Sequence, residues 1–300
     1  MKKFCINLLC MFVPSRKKRS KIRKKFIQKS TPKHIQNYID ETNNNIENKF
    51  NTLLNNLDNI AFDLKQYINR NTEKKLSTAF LHQKTFTKFK GINTGKDIVI
   101  LATGPSLNNF KPIKNAIYIG VNTAYLYKKV KLDYFFIQDF SSLHNHIQNI
   151  NEYTGNNCEK FYGLTTEFDS QWNRVVPESH SISAKALRYR TDWENDTKTF
   201  QCRFAYDIST QPLGCFGSVV FPALQFALWT NPKRIYIVGC DCSNTGHFDK
   251  SKSDNLSYLI EPWKKFKEFV QIYYPETEII SVNPVGLRGL FTDIDQKGKK

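Results

Sequence analysis

Two side chains that can move or orient a proton follow one apolar run near the carboxyl end of the chain. Asp241 comes two residues after the run at 234–239, and His247 lies six residues further along. Histidine is well suited to accept a proton from a hydroxyl near neutral pH, and a carboxylate can orient the histidine or the substrate. The spacing therefore predicts His247 as a general base, and a surface or capping histidine is the alternative.

A second candidate is the turn that follows the apolar run at residues 97–102. Thr103, Gly104, Pro105 and Ser106 supply a tight turn, a preset first helical turn and a hydroxyl that can cap backbone donors. A strand-to-helix junction of this kind directs backbone N–H groups and the positive end of a helix dipole at a ligand, most often a phosphate. The turn predicts a nucleotide pocket, and a plain strand-to-helix turn is the alternative.

Further polar and small residues stand at the ends of other predicted elements. Asn122 follows the second apolar run and can bond a base, ribose or phosphate, or cap a helix. Gln138 and Asp139 end the third run, where Asp139 can accept from ribose hydroxyls or cap the next helix. Gly217 and Ser218 open a long apolar helix; the glycine permits close backbone approach and the serine can donate to a phosphate or sugar. Tight packing of that helix on the sheet is the alternative for Gly217.

We expect no metal centre in this chain. Cys240 and Cys242 alternate along a strand end and therefore point to opposite faces, which makes them a poor metal pair. Asp293 and Asp295 have the Asp-x-Asp spacing of some metal-dependent transferases, but they fall in a polar tail, and we interpret the spacing as coincidence. Helix termini and hydroxyls can stabilise a leaving phosphate without a metal.

The elements that position these residues are those of an α/β fold. Apolar runs alternate with helical stretches from residue 96 onward, which predicts a doubly wound, mostly parallel, Rossmann-like sheet. The predicted strands cover 97–102, 117–121, 134–138, 161–164, 234–239 and 278–282, and 214–230 is the longest predicted helix. Ligands of such folds bind beyond the carboxyl ends of the strands, at a switch point in strand order.

The positive charge is concentrated at the amino terminus. The 300 residues carry a net charge of +17, but residues 1–29 hold eleven Lys or Arg and no acid, which leaves only +6 for the rest. We therefore expect no nucleic-acid partner. Residues 5–13 are mostly apolar but cannot span about 30 Å of hydrocarbon. Leu8, Leu9, Met11 and Phe12 predict an interfacial anchor beside a cluster attracted to anionic lipid, and a solvated basic tail is the alternative.

The seven cysteines show no paired CxxC spacing, which indicates a reducing compartment. Together with the basic tail, this predicts a cytoplasmic protein that is attached peripherally to the inner face of a membrane.

An unbroken heptad pattern precedes the predicted sheet. Its apolar positions are spaced four and three residues apart over three heptads, at Ile46, Phe50, Leu53, Leu57, Ile60, Leu64 and Tyr67. The pattern predicts a coiled coil or helical hairpin, and hence a homo-oligomer. Additional apolar residues at Leu54, Ala61, Phe62 and Ile68 widen the stripe, so an amphipathic helix lying on the catalytic domain is the alternative.

The predicted domain limits follow from these patterns. They are a basic tail at 1–30, a helical spacer at 31–90, a nucleotide-binding domain at 91–290 and a polar tail at 291–300.

The order of these motifs resembles that of a known enzyme family. Gly104-Pro105-Ser106-Leu107, then Asn122, then Gly217-Ser218, then the run 235–241 is similar to the bacterial sialyltransferases of glycosyltransferase family 42. It is also similar to the motility-accessory-factor and 6-hydroxymethylpterin-pyrophosphokinase-like group. The resemblance covers about residues 96–285. Residues 12–18 and onward also resemble the front end of lipooligosaccharide glycosyltransferases of AT-rich pathogens.

The resemblance implies an enzyme that transfers a sugar, such as a sialic acid, from a nucleotide-activated donor to a lipooligosaccharide or other glycan acceptor. It implies a nucleotide-sugar substrate and no cofactor. Where the family has a donor-contacting Asn before Gly-Pro-Ser-Leu, this chain has Thr103. The family's lid carries a catalytic His and phosphate-binding tyrosines; residues 255–264 contain Tyr258 but no His. Tyr258 is thus expected to contact phosphate, and His247 or Glu261 to supply the base.

Two rival functions remain open from the sequence. A pyrophosphokinase-like enzyme using ATP would hold Mg²⁺ with carboxylates, for which Asp139, Asp241 and Asp249 are available. A non-catalytic scaffold would keep the nucleotide pocket in degenerate form and dock partners at the membrane.

Overall fold

The computed structural model describes residues 15–30, 32–164, 176–192, 203–252 and 255–296. The chain divides into two compact units, one up to Asn71 and one from Thr72 onward. The predicted anchor at residues 5–13 lies outside the described residues. The domain limits predicted at residues 30, 90 and 290 remain predictions.

The first unit is helical. Helix α1 (Arg16–Ser30) carries nine Lys or Arg among its fifteen residues, distributed around the helix. Helix α2 (Lys33–Phe86) follows, and its seven heptad residues are 55–65% exposed. In the part of the chain that the structure describes, no helix combines the length and the apolar character needed to cross a membrane.

The second unit is built on a parallel sheet, in which the described residues form nine strands ordered β6-β5-β4-β3-β2-β1-β7-β8-β9. All adjacent pairs are parallel. The strands are β1 (Asp97–Leu101), β2 (Ile117–Val121), β3 (Tyr134–Ile137), β4 (Glu159–Leu164), β5 (Leu187–Asp192), β6 (Leu213–Gly214), β7 (Arg234–Val238), β8 (Glu278–Val282) and β9 (Thr292–Ile294).

Helical segments lie on both faces of this sheet. The α-helices are α3 (Phe140–Leu143), α4 (Ile147–Glu152), α5 (Glu178–Ser183), α6 (Val220–Trp229) and α7 (Ile260–Tyr273). Short 3-10 helices cover Thr87–Phe89, Pro105–Asn109, Asn122–Leu126 and Ser257–Leu259. The doubly wound α/β fold predicted from the sequence is confirmed.

Strand β1 shows why the central strands are continuous apolar runs. Ile98 and Ile100 join the core on the face that α6 and α7 cover, whereas Val99 and Leu101 join the core on the opposite face. A strand buried on both sides needs apolar residues at every position, as parallel sheets do. Helix α6 is also buried on all sides and has a single polar side chain, Gln225.

The end of α2 belongs to the core of the second unit. Phe86 is fully buried and stacks on Phe161 of β4 at a centroid distance of 5.8 Å. His82, also fully buried, has its Nδ1 2.8 Å from the carbonyl oxygen of Ile208, and its Nε2 accepts the N–H of Arg190 at 2.7 Å. Burial lowers the pKa of His82 to about 4, so the ring is neutral when it makes these two bonds.

Three strands were not predicted from the sequence. Strand β5 alternates arginines with other residues in Leu-Arg-Tyr-Arg-Thr-Asp, and β6 has only two residues. Strand β9 lies within the segment predicted to be a polar tail. β6 and β9 are the outermost strands and β5 is next to the edge, where burial on both faces does not force a continuous apolar run. The predicted helix at 214–230 is shorter than expected, because Leu213–Gly214 forms β6 and α6 begins at Val220.

Candidate active site

The strand order reverses at the junction of β1 and β7. From β1 the chain adds β2 to β6 outward on one side, then returns to place β7 on the other side of β1. At such a switch point the connections leave in opposite directions, which opens a crevice beyond the carboxyl ends of the strands. A cavity of about 580 Å³ lies at this position. Its size is within the range of small-molecule sites, roughly 300–1,000 Å³.

Nine of the predicted site residues line this cavity: Thr103, Gly104, Asn122, Gln138, Asp139, Gly217, Ser218, Asp241 and His247. They come from the carboxyl ends of four strands and from the start of α6. The cavity wall also includes Lys252 and Trp263, which the sequence did not single out. Pro105, Ser106, Tyr258 and Glu261 are not part of the cavity wall.

Two backbone N–H groups of the turn after β1, where the sequence predicts a phosphate cradle, are bonded within the chain. The N–H of Gly104 donates to the carbonyl of Gly239 at 2.8 Å, and the N–H of Leu107 donates to the carbonyl of Gly104 at 3.1 Å. Pro105 has no N–H, and the turn continues as a five-residue 3-10 helix with no α-helical dipole behind it. The N–H groups of Gly104 and Leu107 are thus engaged within the chain, and the phosphate-binding role expected for this turn stays a prediction.

A carboxylate of the chain itself accepts both donors of Ser106 in this turn. Asp241 Oδ2 accepts the N–H of Ser106 at 2.8 Å, and Asp241 Oδ1 accepts the Ser106 hydroxyl. Gly104 is required here for space, because a Cβ at this position would lie 2.6 Å from Asp241 Cγ and from the carbonyl oxygen of Gly239. Asp241 and Ser106 thus fasten the β1 turn to the β7 loop, and their predicted role in donor binding stays a prediction.

His247 is held at the cavity by the residue that follows β1. Its Nδ1 is 2.9 Å from Thr103 Oγ1, and the N–H of Phe248 donates to the Thr103 carbonyl at 2.8 Å. The N–H of His247 donates to the Ser251 carbonyl at 3.0 Å, which closes the loop on itself. Because Thr103 engages Nδ1, Nε2 is the ring nitrogen that remains for proton exchange with a substrate.

The other predicted base lies elsewhere. Glu261 is in the first turn of α7, its side chain is 70% exposed, and its carboxylate pairs with Lys264 at 2.5 Å. It does not contribute to the cavity wall. Of the two predicted bases, the geometry therefore favours His247.

Two amide oxygens in the cavity wall lack partners among the residues that the structure describes. Gln138 is 6% exposed, and neither its Oε1 nor Asn122 Oδ1 has a hydrogen-bond partner within the described residues. Unpaired buried amide oxygens cost free energy, about 1–3 kcal/mol each, and mark sites where a ligand can supply the missing donor. The backbone of Asn122 is left-handed, with φ of 50°, and its side chain does not cap the helix that begins there. Asp139, in contrast, does cap α3 by accepting the N–H of Ser141 at 3.0 Å.

The start of α6 forms another part of the cavity wall. Gly217 has a φ of +79°, and a Cβ there would lie 3.2 Å from the hydroxyl oxygen of Tyr258. Ser218 Oγ accepts the N–H of Val220 at 3.4 Å, which leaves the hydroxyl proton of Ser218 able to donate. Tyr258, predicted to contact phosphate, therefore lies against the glycine that opens α6. Val220, the first residue of α6, lines the cavity, so the amino-terminal end of this helix borders it.

One buried amide that sequence reasoning missed fixes the segment leading into α6. Gln225 Oε1 accepts the N–H groups of Ala205 at 2.7 Å and Gly214 at 3.1 Å, and its Nε2 donates to the carbonyls of Gly214 at 2.7 Å and Phe221 at 2.9 Å. The signal in the sequence was a lone polar residue in an otherwise apolar helix. Through Gly214, Gln225 positions the loop that carries Gly217 and Ser218.

The two thiols of the site, Cys240 and Cys242, are buried or partly buried and have raised pKa values. Burial raises the pKa of Cys242 to about 12 and that of Cys240 well above its usual value, so both are neutral thiols. Across the described ranges, no group of three or more His, Cys, Asp or Glu side chains is arranged to hold a metal ion.

The three carboxylates considered for Mg²⁺ each accept from a serine, as Asp241 does from Ser106. Asp139 Oδ1 accepts the Ser141 hydroxyl at 2.6 Å, and Asp249 Oδ1 accepts the Ser251 hydroxyl at 2.6 Å. Burial alone would raise the pKa of Asp249, but the hydrogen bonds from Ser251 and the nearby His247 bring it below its usual value. These carboxylates support local turns.

Comparisons with known proteins relate this chain to others by fold. No family model matches the chain, and no curated protein shows significant similarity to it. Among solved structures, it is similar to the sialyltransferase CstII from Campylobacter jejuni in complex with cytidine-5'-monophosphate, with 14% identity and a TM-score of 0.37 over 63% of this chain and 80% of that one. It is also similar to Cst-II in complex with a trisaccharide acceptor and CMP, with 13% identity and a TM-score of 0.40 over 68% and 88%.

A third similar structure is the MAf glycosyltransferase from Magnetospirillum magneticum, with 11% identity and a TM-score of 0.40. That match covers 74% of this chain and only 39% of the other. At these identities the likeness concerns the fold.

Proposed function

We propose that this protein is a glycosyltransferase that moves a sugar from a nucleotide-activated donor to a hydroxyl of a lipooligosaccharide or other surface glycan. The observation that carries the proposal is the cavity at the β1–β7 switch point, with the unpartnered Gln138 amide and His247 in its wall. The order of the sequence motifs, which resembles that of the family 42 sialyltransferases, supports the same reaction class.

In this proposal the two amide side chains bind the nucleoside of the donor. Bases and riboses offer N–H and O–H donors, and Gln138 Oε1 and Asn122 Oδ1 are acceptors without partners in the described residues. Both stand at the carboxyl ends of neighbouring strands, β3 and β2. A donor nucleoside bound beyond these strands satisfies both oxygens, which is the free-energy gain that selects it.

In this proposal the start of α6 binds the phosphate of the donor. Ser218 retains a donor proton, the α6 dipole contributes partial positive charge, and Lys252 is the one Lys or Arg among the described cavity residues. This placement depends on the Ser218 hydroxyl and on Lys252 rather than on backbone N–H groups, because the N–H groups of Ser218, Val220 and Phe221 are engaged within the chain. We keep Tyr258 as a candidate phosphate contact because its hydroxyl lies beside Gly217, which lines the cavity.

The reaction follows from these placements. The acceptor hydroxyl oxygen attacks the anomeric carbon of the donor sugar and loses its proton to His247 Nε2. The bond between the anomeric carbon and the phosphate oxygen breaks, and the nucleotide leaves with the bonding electron pair. Ser218, the α6 dipole and Lys252 stabilise the charge that develops on the leaving phosphate. The neutral thiols of Cys240 and Cys242 take no part.

The amino-terminal unit supports delivery of the acceptor. Helix α1 carries its positive charge on all sides and has no acidic residue in its first turn. Such a helix is attracted to anionic lipid, with about 1 kcal/mol for each cation near the surface. We therefore propose a peripheral location on an anionic membrane, where a lipid-linked acceptor is concentrated.

Thermal-shift measurements with CMP, UDP, GDP and ATP, each with and without Mg²⁺, test the proposal. We expect one nucleoside mono- or diphosphate to raise the melting temperature without metal; at a concentration of 100 Kd the added stability is about 2.7 kcal/mol. A shift with ATP that needs Mg²⁺ would instead support the pyrophosphokinase alternative. No shift with any nucleotide would support the non-catalytic scaffold.

Matched variants locate the bound nucleotide. Gln138→Leu keeps the size of the side chain but removes the unpartnered oxygen, so the nucleotide-induced shift should shrink. Gln148→Leu changes a glutamine on the exposed surface of α4, which bonds only Glu152 in the described residues, and should leave the shift unchanged. Equal shifts in the two variants would place the nucleotide elsewhere.

A further inference from the structure

We propose that the exposed heptad stripe of α2 holds three or more copies of this chain together in a parallel coiled coil. The inference concerns the first compact unit and does not depend on the proposed reaction. It is carried by the side chains at the heptad positions, by their exposure and by the position of one asparagine.

The spacing fixes the heptad register. A step of three leads from position a to position d, and a step of four leads from d to the next a. Phe50, Leu57 and Leu64 therefore stand at a, and Ile46, Leu53, Ile60 and Tyr67 stand at d. Helix α2 is continuous through all of them, without a break or a proline inside it. The stripe is thus one straight seam of about 33 Å over 22 residues.

The seam is large enough for stable association. The seven seam residues are 55–65% exposed, and Leu54 and Ile68 at the adjacent e positions are 44% and 53% exposed. Burying a side chain of this size removes about 60–120 Å² of apolar surface from water. Nine such side chains supply on the order of 800 Å² per chain, which equals the roughly 800 Å² per partner of a stable protein interface.

The distribution of side-chain shapes indicates more than two strands. Leucine at a together with isoleucine at d shifts coiled coils from dimers to trimers and tetramers. Here Leu57 and Leu64 are at a, and Ile46 and Ile60 are at d. The apolar e positions widen the stripe beyond a two-stranded seam, and a wider stripe is buried only when each helix contacts two neighbours.

Asparagines in the seam indicate a parallel arrangement. Extending the register places Asn43 and Asn71 at a positions and Ile39 at a d position. In a parallel, in-register bundle each asparagine faces its own copies and the amides bond one another. In the antiparallel arrangement that keeps the seam together, Asn71 faces Ile39 and its amide has no partner. A polar a-position residue of this kind sets register and orientation.

The mass of the full-length protein in solution tests the strand number. Sedimentation equilibrium without lipid should give three or four times the 35.0 kDa chain mass. Leu57→Asp places a charge in every copy of one seam layer and should reduce the mass to 35.0 kDa. A wild-type mass of one or two chains would overturn the proposal.

A matched variant separates the seam from the rest of the helix. Phe62 is 62% exposed on α2 but occupies position f, on the outside of a coiled coil. Phe62→Asp should therefore keep the wild-type mass. If both variants dissociate, or neither does, the seam is not the interface. Far-ultraviolet circular dichroism at equal protein concentration checks that both variants retain a folded second unit.

Disulfide trapping tests the orientation. Asn43→Cys chains oxidised with oxidised glutathione should form linked pairs, because position 43 faces its own copy. Asn55→Cys occupies position f and should not form pairs above the wild-type level, which reports on the native cysteines. Equal linking of the two variants would overturn the parallel register.

Discussion

The contact between Thr103 and His247 yields a sharp prediction about catalysis. Thr103→Val keeps the shape of the side chain and the backbone bond from Phe248 but removes the hydroxyl that engages His247 Nδ1. One hydrogen bond contributes a net free energy of about 0.5–1.5 kcal/mol, and its loss in the transition state would lower kcat about 2-fold to 12-fold. Loss of the base itself in His247→Gln should reduce kcat by about 10²–10⁴-fold. Nucleotide binding should stay unchanged in both.

The assay is sugar transfer from the nucleotide-sugar donor that gives the largest turnover, with kcat and KM measured separately. Thr103 acts through His247, so kcat should fall while the donor KM stays constant, and Thr103→Ser should restore kcat. In the His247→Gln background, Thr103→Val should have no further effect.

A control addresses the loop rather than the imidazole. Asn108 Nδ2 donates to the carbonyl of Phe248 at 3.0 Å, so Asn108→Ala releases the same loop without touching Nδ1. It should reduce kcat less than Thr103→Val does. Unchanged kcat in Thr103→Val, or an equal further loss in the His247→Gln background, would refute the positioning role.

Three further predictions concern stability and membrane binding. The pKa of His82 falls from 6.5 to about 4 on folding, so the folded protein is most stable with respect to this group above pH 6.5 and loses stability as the pH falls toward 4. At pH 5 the free energy of unfolding should be about 2 kcal/mol lower than at neutral pH. Urea unfolding should show that loss in wild type and in the exposed-site control His34→Gln but not in His82→Gln. Gln225→Leu strands the buried N–H groups of Ala205 and Gly214 and should cost about 2–4 kcal/mol, whereas Gln211→Leu on the exposed surface should cost under about 1 kcal/mol by the same measurement. Deleting residues 2–29 should release the protein from anionic vesicles in co-sedimentation, and unchanged vesicle binding would reject the basic anchor.

The central strands could be predicted because a strand that is buried on both faces has apolar residues at nearly every position. After the charged first residues of β1 and β7, the runs of β1, β2, β3 and β7 contain no polar aliphatic or charged residue, and these four strands are neighbours in the sheet. Strand β5 was not predicted because it contains two arginines. It lies next to the edge of the sheet, where a strand does not need apolar residues at every position. Local pattern also located the carboxyl ends of the strands, and therefore most of the cavity wall.

The contacts within the site could not be predicted, because their partners are far apart in the chain. Ser106 and Asp241 are separated by 135 residues, and Thr103 and His247 by 144. The sequence predicts that the turn after β1 has unpaired backbone N–H groups and that Asp241 is available to orient a histidine or a substrate. In the structure Ser106 and Asp241 bond each other, and we therefore propose the start of α6 as the site for the phosphate. Pairing of this kind depends on strand order, which the sequence pattern alone does not specify.

A crystal structure with the nucleotide that stabilises the protein most tests the central claim directly. We predict the nucleotide in the cavity at the β1–β7 switch point, with its phosphate at Ser218 and the start of α6 and its nucleoside bonded to Gln138. A nucleotide seated on the Pro105–Asn109 turn, or outside this cavity, would contradict the account.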